Sequence, residues 1–187
     1  MKRSAVLLLV AFLTCPSVAR AQIEPGSNVL TANANYVTAN VEGFSGSFDG
    51  WGLGVTFEKV LGNNHWSLGA NLSYFSTEGR SDEGLQSTFN GVPILLTGRY
   101  MMGSQRIIGY IGAGVGVQFG TLETSSPVYV RSNTSDFAMG LPLGVMLRVS
   151  TSAFVNLNWT PYFVPDGRLA DGFASIFNVG LTFTFPG

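Results

Sequence analysis

Hydrophobic residues recur at every second position along most of the chain. In the segment 51–58 every odd position is large and apolar, whereas every even position is glycine or polar. Because side chains alternate between the two faces of a strand, this period predicts β-strands with one apolar face. The pattern predicts eight strands, which cover approximately residues 29–41, 51–61, 66–74, 91–100, 107–119, 137–148, 155–163 and 177–185.

The predicted connections alternate between short and long. The short ones are tight turns at Gly62–Asn64, Gly103–Gln105 and Ser150–Ser152. The long ones carry most of the acidic residues and cover 42–49, 78–88, 122–134 and 164–172. Short turns on one side and long loops on the other are typical of barrels in the outer membrane, where the short side is periplasmic.

The apolar register favours a lipid-facing surface over the core of a soluble sandwich. The predicted strands reach about ten residues, the length that a tilted strand needs to cross a bilayer. Aromatic residues lie towards strand ends, as in the interfacial girdles of membrane barrels. The predicted girdle residues are Trp51, Trp66, Tyr74, Tyr100 and Trp159. The opposite register is small or polar, which suits the narrow lumen of an eight-stranded barrel.

The last predicted strand carries the most specific motif. Asn178, Gly180, Phe183 and Phe185 stand in the order polar, x, Gly, x, x, aromatic, x, aromatic. This segment resembles the C-terminal signal of bacterial outer-membrane barrels, although Pro186 and Gly187 follow the final aromatic. The mature chain as a whole resembles the small OmpA/OmpX-type barrels. The resemblance implies an all-β, eight-stranded antiparallel up-and-down transmembrane barrel, whose last strand is read by the barrel-assembly machinery.

Residues 1–21 predict a cleaved signal peptide. Lys2 and Arg3 form a positive region, an apolar stretch follows, and 18–21 offers a small-x-small cleavage pattern. The predicted domains are therefore the leader, 1–21, and the barrel, 22–187. Cys15 leaves open a lipoprotein alternative, since an acylated cysteine also follows a short apolar stretch.

Composition narrows the classes of function. Downstream of Cys15 there is no cysteine, so disulfides and thiolate metal sites are not expected in the mature chain. The arginines are scattered singly and Lys59 is the only lysine after the leader, which argues against nucleic acid as a partner. With 24 glycines and 11% charged residues, the chain is too glycine-rich for helices and too apolar for disorder.

Three charged residues fall in the small or polar register, where they predict a polar network in the lumen. Glu58, Arg99 and Arg148 each lie within a few residues of a short turn. A charge facing lipid at mid-membrane costs about 2–4 kcal/mol, so these side chains are expected to point inward and to pair. The network is either a structural plug, which we favour, or the gate of a narrow pore.

The chain offers little for catalysis. His65 is its single histidine and lies beside a short turn, so we expect a rim residue. Barrel enzymes that modify lipid A resemble this chain in size, but their histidine lies at the opposite, outer-leaflet side. No metal site, cofactor or enzymatic activity is expected. The glycine-rich segment 109–116 is interpreted as a strand, because it lacks the nucleotide-loop spacing.

The sequence thus predicts a non-enzymatic outer-membrane barrel with a structural or adhesive role and a side-chain-filled lumen. The alternatives are a narrow passive pore, a lipid-modifying enzyme and a soluble periplasmic barrel that binds a ligand. The expected partners are outer-membrane lipids and the assembly machinery, and no surface partner is indicated. Pro93, Pro142 and Pro161 each remove a backbone donor, and we expect a bulge or a rim position at each.

Overall fold

The computed structural model describes residues 23–40, 47–62, 65–80, 86–103, 106–125, 130–165 and 172–187. Within these ranges no helix is long and apolar enough to cross a membrane. The predicted leader, including Cys15, lies outside the described residues. The strands are β1 Asn28–Asn40, β2 Ser47–Val60, β3 Trp66–Arg80, β4 Gln86–Gly103, β5 Ile107–Ser125, β6 Val130–Gly140, β7 Leu143–Arg148, β8 Ala153–Val164 and β9 Gly172–Phe185.

The strands form one closed antiparallel ring. Apart from β6 and β7, strands that are consecutive in sequence pair with each other, and β9 pairs with β1 from Asn28↔Phe185 to Ala39↔Ala174. Since β6 and β7 occupy the same position between β5 and β8, the wall has eight positions. The predicted all-β, eight-stranded antiparallel barrel is therefore confirmed. Among the described strands this closure leaves no unpaired sheet edge, which is a condition for strands that cross lipid.

The hydrogen-bond register shifts in one direction from strand to strand around the barrel. A path that follows the register around the barrel from Asn28 on β1 returns to β1 at Thr38, ten residues further along the same strand. In a barrel, this stagger and the number of strands together set the tilt of the strands and the width of the interior. The stagger therefore decides which inward-facing residues of distant strands lie at one level.

Several strands extend further than the alternation predicts. β3 continues to Arg80 and β4 begins at Gln86, so most of the predicted loop 78–88 is a paired hairpin. Likewise β5 and β6 pair as far as Thr124↔Val130 within the predicted loop 122–134. The outward positions of these extensions are polar, which is why an apolar period did not reveal them. We call this end of the barrel the loop side, and the opposite end the turn side.

The prolines do not produce the expected bulges or rim positions. Pro93 lies inside β4, Pro161 lies inside β8, and Pro142 separates β6 from β7, which the sequence predicted as one strand. The β5 register is the same before and after Pro142, with Gly114↔Gly140 on one side and Ile111↔Leu143 on the other. No residue is inserted, so the wall loses ladder hydrogen bonds without a shift of register. The carbonyl of Pro142 still accepts a hydrogen bond from the Gly112 N–H at 2.8 Å.

The two faces of the wall differ as the alternation predicts. Trp51 and Leu96 on the outside are each 70% exposed, whereas the inward-facing side chains of the same strands are buried. Inside, apolar side chains form two separate clusters. The loop-side cluster consists of Val37, Phe48, Phe75, Phe89, Leu95, Ala138, Tyr162, Val164 and Ile176. The turn-side cluster consists of Val29, Val60, Met101, Tyr110, Met146 and Phe154.

Candidate functional site: a polar belt across the lumen

A buried ion pair joins β2 to β4. Arg99 Nε lies 3.1 Å from Glu58 Oε1, and the two side chains are only 5% and 3% exposed. The Nε–H bond is not directed at that oxygen, so the contact is electrostatic rather than a straight hydrogen bond. Thr97 Oγ1 donates a hydrogen bond to the same oxygen at 3.4 Å. The structure thus brings together two of the three charged residues that the sequence placed in the lumen.

Glu58 reaches β4 because the strand between them carries a glycine. Gly69 on β3 pairs with Glu58 on one side and with Thr97 on the other. A Cβ atom at position 69 would lie 2.6 Å from Glu58 Cγ, closer than carbon atoms approach each other. Gly112 on β5 has the same relation to Arg99, with 2.9 Å from its Cβ position to Arg99 Cγ. The glycines leave room for long side chains that run across the wall.

On the other side of Arg99, contacts between inward-facing side chains continue around the wall. The Arg99 guanidinium lies over the ring of Tyr110 at 4.7 Å, a cation–π contact that stabilises a desolvated charge. The Tyr110 hydroxyl then donates a 2.8 Å hydrogen bond to Asn156 Oδ1 on β8, passing Gly144 on β7. On β1 and β9 the hydroxyls of Thr31 and Thr182 are hydrogen-bonded at 2.8 Å.

We call this set of side chains the polar belt. Its members are Thr31, Glu58, Thr97, Arg99, Tyr110, Asn156 and Thr182, and all are buried. The sequence alone indicates no role for Tyr110, Thr97 or the threonine pair. Their inward register was visible in the alternation, but their common level depends on the stagger of the barrel.

Arg148 occupies a different place. It lies at the end of β7, where its guanidinium donates hydrogen bonds to the carbonyls of Ser150 and Thr151, at 3.0 and 2.8 Å. It also lies over the Phe154 ring at 5.9 Å. Arg148 therefore caps the turn between β7 and β8, and the Glu58–Arg99 pair is formed on the opposite wall.

A cavity lies on the loop side of the belt. Its volume is about 50 Å³, and its wall combines asparagines with Arg99 of the belt and Tyr162 of the loop-side cluster. We call this cavity the chamber. The asparagines in its wall are Asn33, Asn35, Asn71, Asn158 and Asn178. Asn178, predicted as part of the C-terminal signal, thus has a side chain that faces the lumen.

The predicted girdle residues all lie on the outer surface. At the turn side Trp66 pairs with Tyr100, with ring centroids 5.1 Å apart. Towards the loop side Trp51 packs against Tyr36 at 5.0 Å, and Tyr74 donates a hydrogen bond to Asn90. Trp159 differs from this pattern, because it lies at the middle of β8, stacked on Phe177 at 6.5 Å.

The C-terminal residues form the closing seam of the barrel. Phe183 pairs with Leu30 and Phe185 pairs with Asn28, and both phenylalanines face outward. Gly180 pairs with Asn33, and a Cβ atom there would collide with the Ala32 carbonyl of the neighbouring strand. The segment therefore closes the ring against β1.

His65 lies at the turn-side rim, immediately before β3. Its Nδ1 is 3.3 Å from the Met101 carbonyl oxygen, and its ring is 5.8 Å from Tyr100. In the part of the chain that the structure describes, no three histidine, cysteine or acidic side chains are grouped so as to hold a metal ion. The arrangement of His65 is that of a packed rim residue.

Comparison with known families settles the class of protein. The family model described as the outer membrane protein beta-barrel domain matches residues 5–185. The chain belongs to this family. It is an integral barrel of the bacterial outer membrane. Comparison of the sequence with curated proteins gives no match.

Solved structures share the fold of this outer-membrane barrel. Neisserial surface protein A superposes with a TM-score of 0.62 at 14% identity, covering 86% of this chain and 99% of its own. The Yersinia pestis attachment invasion locus protein Ail, in complex with the heparin analogue sucrose octasulfate, gives 0.57 at 12% identity with the same coverage. OprG of Pseudomonas aeruginosa gives 0.51 at 12% identity and covers 88% of this chain and 98% of its own.

Proposed function

We propose that this protein is a non-enzymatic barrel that is closed to the passage of solutes and presents its loop-side hairpins at the cell surface. The observation that carries the proposal is the buried Glu58–Arg99 pair, which lies across a lumen already occupied by apolar side chains. An eight-stranded barrel is just wide enough for its own side chains. A filled lumen supports a structural or surface role over transport.

The charge of the loop side indicates which surface partners suit the protein. Except for Glu24 and Glu58, every acidic residue lies in the loop-side connections or in the strand halves that lead to them. The basic residues of that side are Arg80, Arg131 and Arg168. Ail was solved with a polysulfated ligand, and this acidic surface would repel such a polyanion. We therefore propose that an adhesive partner of this chain is cationic or neutral rather than a sulfated glycan.

We propose further that the chain is exported by a leader cleaved after Ala21, inserted by the barrel-assembly machinery and surrounded by outer-membrane lipids, with no nucleic-acid partner. The exposed apolar outer surface supports the lipid contact. The position of His65, at the turn-side rim, supports the absence of lipid-modifying chemistry at the loop side.

Conductance in planar bilayers tests the closed lumen. The purified protein, incorporated at a density verified by labelling, should give no steady conductance above the protein-free bilayer. The double variant Met146→Ala, Phe154→Ala removes apolar side chains from the turn-side cluster. Its conductance serves as a comparison, because it shows how much current passes through a less tightly filled lumen. Regular channel openings in the wild-type protein would contradict the proposal and favour a narrow pore.

Adhesion of whole cells tests the surface role. Cells that display the wild-type barrel should bind a cationic surface more strongly than cells without it, and added salt should weaken the difference. The control is a barrel in which Asp82 and Glu83 are replaced by asparagine and glutamine. Equal adhesion with and without the protein would refute the surface role and leave a purely structural one.

A further inference from the structure

The loop-side half of the lumen contains a carboxylate without a partner of opposite charge. Asp136 on β6 lies two residues from Ala138 of the loop-side cluster and shares its inward face. It is partly exposed, so an ion can reach it from the loop side. The basic residue of the same strand, Arg131, lies on the outer face, 3.7 Å from Glu123. Among the described residues, no ion pair or hydrogen bond involves Asp136.

Three neutral oxygens near Asp136 have no hydrogen-bond partner within the described protein. They are Gln118 Oε1, Thr134 Oγ1 and Tyr162 Oη. Gln118 pairs directly with Asp136 across β5 and β6, so the two inward side chains lie side by side. Thr134 is the next inward residue along β6, and its hydroxyl lies over Gly120 of β5. From β8, the Tyr162 hydroxyl lies close enough to feel the charge of Asp136.

Burial makes these oxygens unusual. Gln118 and Tyr162 are each only 2% exposed, and native proteins provide a partner for nearly all buried polar groups. Gln118 Oε1 and the carboxylate of Asp136 are both acceptors, so neither oxygen can satisfy the other. A cation between them would satisfy both.

Unpartnered oxygens also occur in the turn-side half of the lumen, at Ser67 and Thr184. The carboxylate of that half is Glu58, and its charge is balanced by Arg99 at 3.1 Å. Around Asp136, no basic group of the described residues supplies this balance. The combination of an unbalanced carboxylate with buried neutral oxygens therefore distinguishes the Asp136 region as the place for a cation.

We propose that Asp136, Gln118, Thr134 and Tyr162 form a calcium site in the loop-side half of the lumen. Ca²⁺ takes roughly six to eight oxygen ligands in a flexible geometry, and water completes the set where protein oxygens are too few. Mg²⁺ demands a stricter geometry and dehydrates reluctantly, so it suits this set less well. Because only one ligand is a carboxylate, we expect the weak affinity of extracellular calcium modules, with a Kd of about 10⁻⁴–10⁻³ M.

The ion would join two strands that share a short ladder. In the described part of the wall, β6 and β8 pair only at Met139↔Phe163 and Gly140↔Tyr162. A calcium ion held by Asp136 of β6 and Tyr162 of β8 would add a link on the loop side of these pairs. This inference goes beyond the proposed function, because a closed barrel with surface hairpins requires no bound ion.

Thermal unfolding of the full chain in phosphatidylcholine vesicles tests the site, with calcium itself as the probe. About 10 mM calcium chloride, above the expected Kd, should raise the Tm by a few degrees over choline chloride of equal ionic strength. Asp136→Asn should lose this rise. Asp49→Asn, the same change at an exposed carboxylate of β2, is the matched control and should keep it.

Heat-modifiable mobility on gels verifies that each variant is folded. The site is refuted if calcium stabilises Asp136→Asn as much as the wild type, or if it stabilises neither. An equal rise of the Tm with magnesium would overturn the assignment to calcium.

Terbium luminescence locates the ion independently of stability. Tb³⁺ replaces Ca²⁺ at oxygen sites and emits when a nearby tyrosine absorbs light, so Tyr162 should sensitise it. The emission should disappear in excess calcium and should fall several-fold in both Asp136→Asn and Tyr162→Phe. Tyr74→Phe, which changes a ring on the outer surface, is the control and should leave the emission unchanged. Emission that is undiminished in Tyr162→Phe would place the ion away from β8 and overturn the proposed ligand set.

Discussion

The Glu58 side chain crosses the wall directly over Gly69, at a distance that leaves no room for a Cβ atom. Gly69 pairs with Glu58 in the register of β2 and β3, and the neighbouring β4 supplies Arg99. The glycine therefore determines whether the carboxylate can reach its partner two strands away. In the sequence, Gly69 is one of many small residues in the inward register. The ion pair nevertheless requires a glycine at this position.

Gly69→Ala should destabilise the barrel, by the roughly 1–3 kcal/mol typical of overpacking. The added methyl group would lie 1.9 Å from the Phe57 carbonyl oxygen and 2.6 Å from Glu58 Cγ, so it would both strain the wall and push the carboxylate away from Arg99. The free energy of unfolding in urea, measured in lipid vesicles, checks the change. Gly62→Ala is the control, because a Cβ atom at Gly62 meets nothing within 4 Å. Equal stability of the two variants would contradict the role assigned to Gly69.

Glu58→Gln should lower the thermal stability of the barrel. Removing one partner of a buried ion pair typically costs about 3–5 kcal/mol. A second change, Arg99→Gln, should restore part of the loss, whereas Arg148→Gln should not, since Arg148 donates to Ser150 and Thr151. Melting curves of the single and double variants measure the coupling. A Glu58→Gln protein as stable as the wild type, with raised bilayer conductance, would instead favour the gate.

Replacing Phe183 and Phe185 with serine should leave export intact and prevent assembly. These residues end the strand that closes the ring against β1, and they belong to the motif that resembles the assembly signal. The expected result is degraded or aggregated protein in the periplasm, without heat-modifiable mobility on gels. Phe173→Ser, at the other end of β9, is the control and should assemble. If the double variant assembles as well as this control, the signal lies elsewhere.

Epitope tags inserted near Gly84, Ser126 or Gly167 should be accessible to antibody on intact cells. Tags at Asn63 or Gln105 should become accessible only after the outer membrane is opened. These five positions lie outside the described residues, between strands whose ends the structure shows. The antibody signal before and after permeabilisation measures the topology. Labelling of Asn63 or Gln105 on intact cells would mean that the turn side, rather than the loop side, faces the exterior.

The sequence by itself determined the faces of the wall and the class of the fold. The period of two assigns outward and inward positions in every strand, because successive side chains on a strand point in opposite directions. Trp51 and Leu53 outside, and Thr56 and Glu58 inside, lie on the faces that this period predicts. The alternation also identified the small residues of the lumen and the aromatic last strand, which closes the ring.

Tertiary structure decided which of those positions meet. Periodicity places Glu58, Arg99 and Arg148 on one face, but it carries no information about the stagger between strands. The stagger of ten residues in one circuit, from Asn28 to Thr38, puts Glu58 beside Arg99. Arg148 lies at the end of β7, where it contacts the turn that follows this strand. The hairpin extensions beyond Thr77 and Gly120 also required the structure, because backbone pairing continues there after the apolar pattern has ended.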